Sequence, residues 1–391
     1  MMLSRAIAVL WAFGIASLSH GAEKVSLQPT PNGGIRPQAV VDGKGVVHLV
    51  YAWNPNPGER PGGDNLAYVR KEPGPSEFSK PIDVNSVPRS VYPLVPSEMV
   101  VGRDGRVHVS WAASPRYFRE RASEGGERRL KYLFYTRLND ARTAFEEQRN
   151  IAGDTFGFEM ASAIVANSKG DVHLFWGGNH ADHGAGDANR KVFGIHSKDE
   201  GRTFSPVEAV WGDGKGACMC CTTEAMETDA GTILLIYRSA EKNVNRDTYL
   251  LTSKDQGKTF AGQRVDGWEI NACPMTSYGL VETRLGVFFA WETKGLVQLA
   301  RTTAGKIVTP VSPSGEGHER KFPSVAANSK GEILLAWTED SHYRKAGDLA
   351  WQVFDKNGNP TEEKGTAKGV IRAAAMPAVY PNPDGTFVIL Y

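Results

Sequence analysis

A motif that repeats almost letter for letter limits what this chain can fold into. Ser197, Asp199, Gly201, Thr203 and Phe204 hold the pattern Ser-x-Asp-x-Gly-x-Thr-Phe, and Ser253, Asp255, Gly257, Thr259 and Phe260 hold it again. Each copy follows a β-rich run, Val192 to Ile195 and Tyr249 to Leu251. The chemistry is that of a hairpin turn. The Asp carboxylate folds back on the turn amides, Gly takes a positive φ, and Thr-Phe re-enters a strand with its ring turned inward.

A second pattern recurs from Pro37 to the last residue. An apolar segment enters a polar Gly turn, and the strand that follows ends on an aromatic: Tyr51, Trp111, Trp176, Tyr237, Trp291, Trp337 and Tyr391. Each unit is two antiparallel strands joined by a tight turn. The copies stand about 50 to 65 residues apart, which leaves room for two more strands each and matches the period of a propeller blade. No helical periodicity persists. The expected fold is all-β: a single propeller domain of four-stranded antiparallel blades over residues 22–391, with seven blades favoured and six the alternative. The last unit stops at its second strand, so the ring is expected to close by borrowing Lys24 to Gln28 as an outer strand, which covers an open sheet edge.

The two motif copies resemble the Asp-box, or BNR repeat, of the sialidase-like β-propellers. In that family an arginine triad grips a carboxylate, a Tyr activated by Glu is the nucleophile, and an Asp is the acid/base. The resemblance implies an exported propeller that acts on or binds a glycan, an exo-α-sialidase type of hydrolysis being one form. A non-catalytic carbohydrate- or protein-binding propeller is the alternative. The family's first arginine sits in Phe-Arg-Ile-Pro; Gly34-Ile35-Arg36-Pro37 matches it in part. The further candidates that follow are Arg238, Arg246 and Arg320 for the grip, with Tyr92, Glu159, Glu224 and Asp340 near the mouth. The family enzymes have six blades, which loosens any residue-by-residue transfer.

Propeller geometry sorts the loops. Turns within the first and second strand pairs of a blade share one face. The other face collects the strand-entry segments and the long polar loops at 54–65, 114–129, 177–190, 239–247 and 339–348. Long loops over one mouth of a rigid ring are the expected place for a site. His48, His108 and His173 recur at the same place in successive units, which is what packing requires and a single metal site does not.

All four cysteines, Cys218, Cys220, Cys221 and Cys273, fall in entry segments of adjacent units. The string Ala217 to Thr222 also resembles a subset of exported bacterial sialidase-like proteins. In an oxidising compartment an even count reads first as disulfides, with the pairing open. The other reading is a soft-metal site for copper, with Met219, Met226 or Met275 as thioether ligands. The spacing lacks the Cys-x-x-Cys pairs of structural zinc.

Residues 1–21 read as a signal peptide. Arg5 is the basic flank, Ala6 to Leu18 the apolar run, and Ser19 and Gly21 the small residues before a cut. The run is shorter than the ~18 apolar residues of a span. The chain is expected to be secreted or periplasmic, free of the membrane once the signal is removed, and without a resident cofactor. A formal net charge of +1 and no charged block give nucleic acid no support as a partner, and a glycan or other polar small ligand is what the resemblance implies.

Overall fold

The computed structural model describes residues 24–391 except 54–64, 75–76, 89, 93–95, 114–131, 158–161, 213, 316–318 and 343. Seven sheets form the chain, and their innermost strands stand side by side around a closed ring. Those inner strands are Ile35–Val41, Glu98–Val101, Ser162–Ala166, Glu224–Glu227, Tyr278–Thr283, Arg320–Ala327 and Ala378–Pro381, in blades one to seven. The seven-bladed count holds, and no α-helix occurs among the described residues.

Six blades have four strands. The seventh departs from that number, with three among the described residues: Ala378–Pro381, Phe387–Leu390 and Val25–Gln28. The last of these is the borrowed N-terminal strand, and it pairs in parallel, Val25 opposite Phe387 and Gln28 opposite Leu390. Thr30 N–H donates to the Tyr391 carbonyl at 2.7 Å, so the two ends of the described chain lock one blade between them.

The motif turns form as their chemistry requires. Asp199 accepts from the Thr203 amide at 2.9 Å and from the Thr203 hydroxyl at 2.7 Å, while Ser197 Oγ takes the Gly201 amide at 2.8 Å. Asp255, Thr259, Ser253 and Gly257 repeat the arrangement. The residue before each glycine is left-handed too, Glu200 at φ 61° and Gln256 at φ 62°. The motif rings tie blades together. Phe204 meets Tyr135 of blade two edge-on at 5.0 Å, and Phe260 meets Phe175 of blade three at 5.4 Å. A methyl at Gly201 would strike the Tyr135 hydroxyl, so glycine is needed for this approach as well as for its φ.

Turns of both kinds do share one face: the Glu200 amide donates to the Gly170 carbonyl at 2.9 Å. The strand histidines are buried packing groups. His48 and His108 each place Nδ1 on a tyrosine hydroxyl, Tyr68 at 2.8 Å and Tyr135 at 2.7 Å. Burial pushes His108 down to about 3 and His173 to about 4, which keeps both rings neutral.

Candidate functional site

The inner strands leave a cavity of about 210 Å³ along the ring axis. Arg36, Gln38, Glu98, Glu224 and Tyr278 give it its polar wall. Three of these come from one level of the ring. Gln38 pairs with Val50, Glu98 with Ser110 and Glu224 with Ile236, each three residues before its strand reaches the turn. Ala163 and Gly279 are the small residues on the neighbouring inner strands, so space remains at the axis.

Glu98 and Glu224 are the electrostatic centre of the cavity. Burial lifts the Glu98 carboxyl well above the ordinary range, and repulsion from Glu224 adds to it; Gln38 Nε2 donates to it at 2.8 Å and lowers it in part. Burial pushes Glu224 up to about 8, although the residue is only half-buried. Two carboxyls in one desolvated space cannot both ionise freely, so the pair holds protons at neutral pH.

Arg36 enters this wall through a backbone irregularity. It takes φ 55° just before Pro37, where the register of the first two strands slips between Ile35 and Gln38. Phe322 repeats the device at φ 54° before Pro323 in blade six. Bulges of this kind re-aim a side chain at the end of a strand. Arg36 is buried, and its Nε donates to the Ala374 carbonyl at 2.7 Å.

The other expected residues lie elsewhere. Tyr92 packs against Ala112, Phe322 and Met376. Arg246 pairs with Asp187 at 2.9 Å, and Arg320 donates to the Pro313 carbonyl at 2.9 Å beside Glu339. Asp340 is left-handed at φ 55° and its amide bonds the Glu319 carbonyl. Glu159 falls outside the described residues, as do the loops at 54–64 and 114–131. Arg36 is the one arginine among the described residues that lines the cavity. Glu98 and Gln38 were missed in the sequence. Their signal was a Glu and a Gln at the position where other inner strands carry Ala, Gly or Ser.

Beside the cavity, on the entry to blade four, Cys218, Cys220 and Cys221 are buried with their sulfurs all within 4.8 Å of one another. Cys218 and Cys220 stand 3.1 Å apart, longer than an S–S bond, which is ~2.05 Å. All four cysteines are free, and exposed Cys273 of blade five reaches Cys218 and Cys220. Met275 and Met226 pack against the same core, whereas the Met219 thioether is turned onto Gly177 of blade three.

Arg238 lies wholly buried next to these thiols. It donates to the carbonyls of Arg246, at 2.7 Å, and Glu292, and Trp268 stacks on its guanidinium at 5.3 Å. Burial opposes ionisation of Cys221, but donors on Cys218 and Cys220, then the Arg238 charge and the Thr276 amide, outweigh it and hold that thiol well below its ordinary range. Burial lifts nearby Glu292 to about 7.

No protein-family model and no curated protein matches this sequence. Solved structures match in shape. The α-L-arabinanase of Penicillium chrysogenum superposes at TM-score 0.54 with 12% identity, covering 84% of this chain and 95% of that one. The GH93 α-L-arabinofuranosidase of Fusarium graminearum gives 0.51 with 13% identity, over 80% and 90%. The NanB sialidase of Streptococcus pneumoniae gives 0.46 with 13% identity, over 90% and 64%. At these identities the likeness is one of fold.

Proposed function

We propose that this propeller is directed at a glycan, and that the axial cavity receives a sugar residue with Glu224 as the proton donor. The observation that carries the reading is the pair of desolvated carboxyls, Glu98 and Glu224, facing one cavity of about 210 Å³. A general acid for glycoside cleavage must keep its proton near neutral pH, and burial of a carboxyl achieves that. Glu98, oriented by Gln38, shares the cavity as a protonated neighbour of the donor. Arg36 supplies a fixed positive edge to the same wall.

A sialidase is the finer form of this reading. Its arginine grip would have to be built from Arg36 and groups other than Arg238, Arg246 and Arg320, which are engaged with carbonyls and carboxylates of the fold. The two arabinose-directed propellers were captured with arabinobiose, so arabinosides and sialosides both belong on the first substrate panel.

The test is hydrolysis of aryl glycosides and polysaccharides by the full chain, alongside a glycan-binding array. Glu224→Gln is expected to lower turnover by about 10²- to 10⁴-fold while sugar binding persists. The wild-type rate should fall as pH rises through about 8, where Glu224 loses its proton. Glycan binding without hydrolysis would reduce the protein to a lectin-like module; neither binding nor hydrolysis across the panel would sink the proposal.

A further inference from the structure

The thiol cluster has no part in the sugar chemistry above, and its construction points to a different ligand. Three sulfurs from one short segment, Cys218, Cys220 and Cys221, converge within 4.8 Å in a buried site. Three thiolates around one ion at a metal–sulfur distance of ~2.3 Å would stand ~4 Å from each other, so little movement is needed to receive one. Among the described residues, no His, Asp or Glu joins these three sulfurs. An all-sulfur set selects soft ions.

Charge gives the second, independent observation. A metal bound by three thiolates keeps net negative charge, and burying that charge is costly unless it is compensated. Two guanidiniums are placed to do so. Arg238 acts on Cys221 and Cys218, and Arg246 on Cys218 and Cys220. Both arginines are themselves held in place, Arg238 by two carbonyls and Arg246 by Asp187. The Thr276 amide donates to Cys221, the kind of support that fixes a first ligand in position.

The geometry points to a site for monovalent copper, Cu(I), ligated by Cys218, Cys220 and Cys221, with exposed Cys273 at its edge. Cu(I) fits three-sulfur coordination, whereas structural zinc takes four ligands in tetrahedral array and a wider cysteine spacing. Uptake releases the thiol protons that the ligands still carry, so binding weakens as pH falls. The site lies beside the channel cavity through Tyr278, which lines the cavity and whose ring lies 6.0 Å from the Arg238 guanidinium.

The full chain, reduced under argon, should be titrated with Cu(I) against a bicinchoninate competitor and its copper examined by X-ray absorption. The expected result is a single Cu(I) per chain with sulfur-only ligation. Cys220→Ser should abolish stoichiometric uptake, with circular dichroism confirming the fold. Arg246→Gln should weaken binding by about 10- to 100-fold, a readout that needs no ligand removed. Cys273→Ser should leave stoichiometry unchanged. No uptake by the folded, reduced chain would overturn the proposal. So would a preference for Zn(II) with four sulfur ligands, or copper that survives loss of all three buried thiols. Glycan hydrolysis is scored separately, with Glu224→Gln expected to bind Cu(I) as the wild type does.

Discussion

On one side of Thr222 and Thr223 the entry to blade four carries Cys218, Cys220 and Cys221; on the other it carries Glu224. Both groups are acidic and both are withdrawn from water, but the fold treats them differently. The thiols are set against Arg238 and Arg246, so negative charge is compensated. The carboxyls of Glu98 and Glu224 meet each other and a neutral Gln38, so negative charge is suppressed. A compensated site is suited to holding a cation; a suppressed one is suited to keeping a proton.

Removing the compensating charge should have the largest effect. Arg238→Met leaves the Arg246 and Glu292 carbonyls unpaired, and the lost partner of a buried charge typically costs about 3–5 kcal/mol. Urea unfolding measures it. A loss under 1 kcal/mol, the scale of an exposed ion pair, would show that Arg238 is not a structural counter-charge at all.

The suppressed site should respond to pH in the opposite sense from an ordinary carboxylate. Glu224 titrates near 4.5 when unfolded and at about 8 in the fold. Between those values the folded chain keeps a proton that the unfolded chain has released. The contribution is therefore whole below 4.5 and is lost as pH rises to about 8. Glu224→Gln should then be more stable than wild type at pH 9, by something on the order of 3 kcal/mol, and near-neutral at pH 4. Equal effects at both pH values would mean that Glu224 is ionised in the fold.

The turn face gives the smallest effect and a control for both. Burial slightly opposes ionisation of Asp199, but the Thr203 amide, Ser197 and the Thr203 hydroxyl hold it at about 2, below its unfolded 3.8. Its contribution is present above 3.8 and lost as pH falls toward 2. The carboxylate is largely solvent-exposed, so solvent screening leaves its hydrogen bonds worth about 1 kcal/mol. Asp199→Ala should lower stability by that much at pH 7 and leave Cu(I) uptake and glycan hydrolysis unchanged. Thermal melts at pH 7 and pH 2.5 would show whether the gap closes.

The ring was readable from local chemistry. Asp199 and Asp255 announce their turns because a carboxylate, a glycine and a threonine must sit at set offsets to satisfy turn amides. Tyr51 through Tyr391 mark strand ends because alternation with period two places one ring per blade in the core. Even the closing strand at Val25 followed, since an unpaired edge requires a partner. The candidate site was legible only in part. Arg36 and Glu224 were singled out and do meet at one cavity, and the cysteines gather as their spacing implied. Tyr92 and Arg246 looked equally suited, and nothing local to them shows that one packs beneath Phe322 while the other is engaged by Asp187.

What the sequence alone determined is therefore everything set within a hairpin, the strand pairs, turns and their number, together with the need for a borrowed edge. Tertiary structure decided which side chains share the axis. Gln38, Glu98 and Glu224 come from three blades, and Cys273 comes to the thiols from a fourth. Their meeting depends on closure of seven blades into one ring, a long-range condition that no stretch of a dozen residues encodes. The protonation of those acids is set there too, because desolvation belongs to the assembled cavity and not to any residue in it.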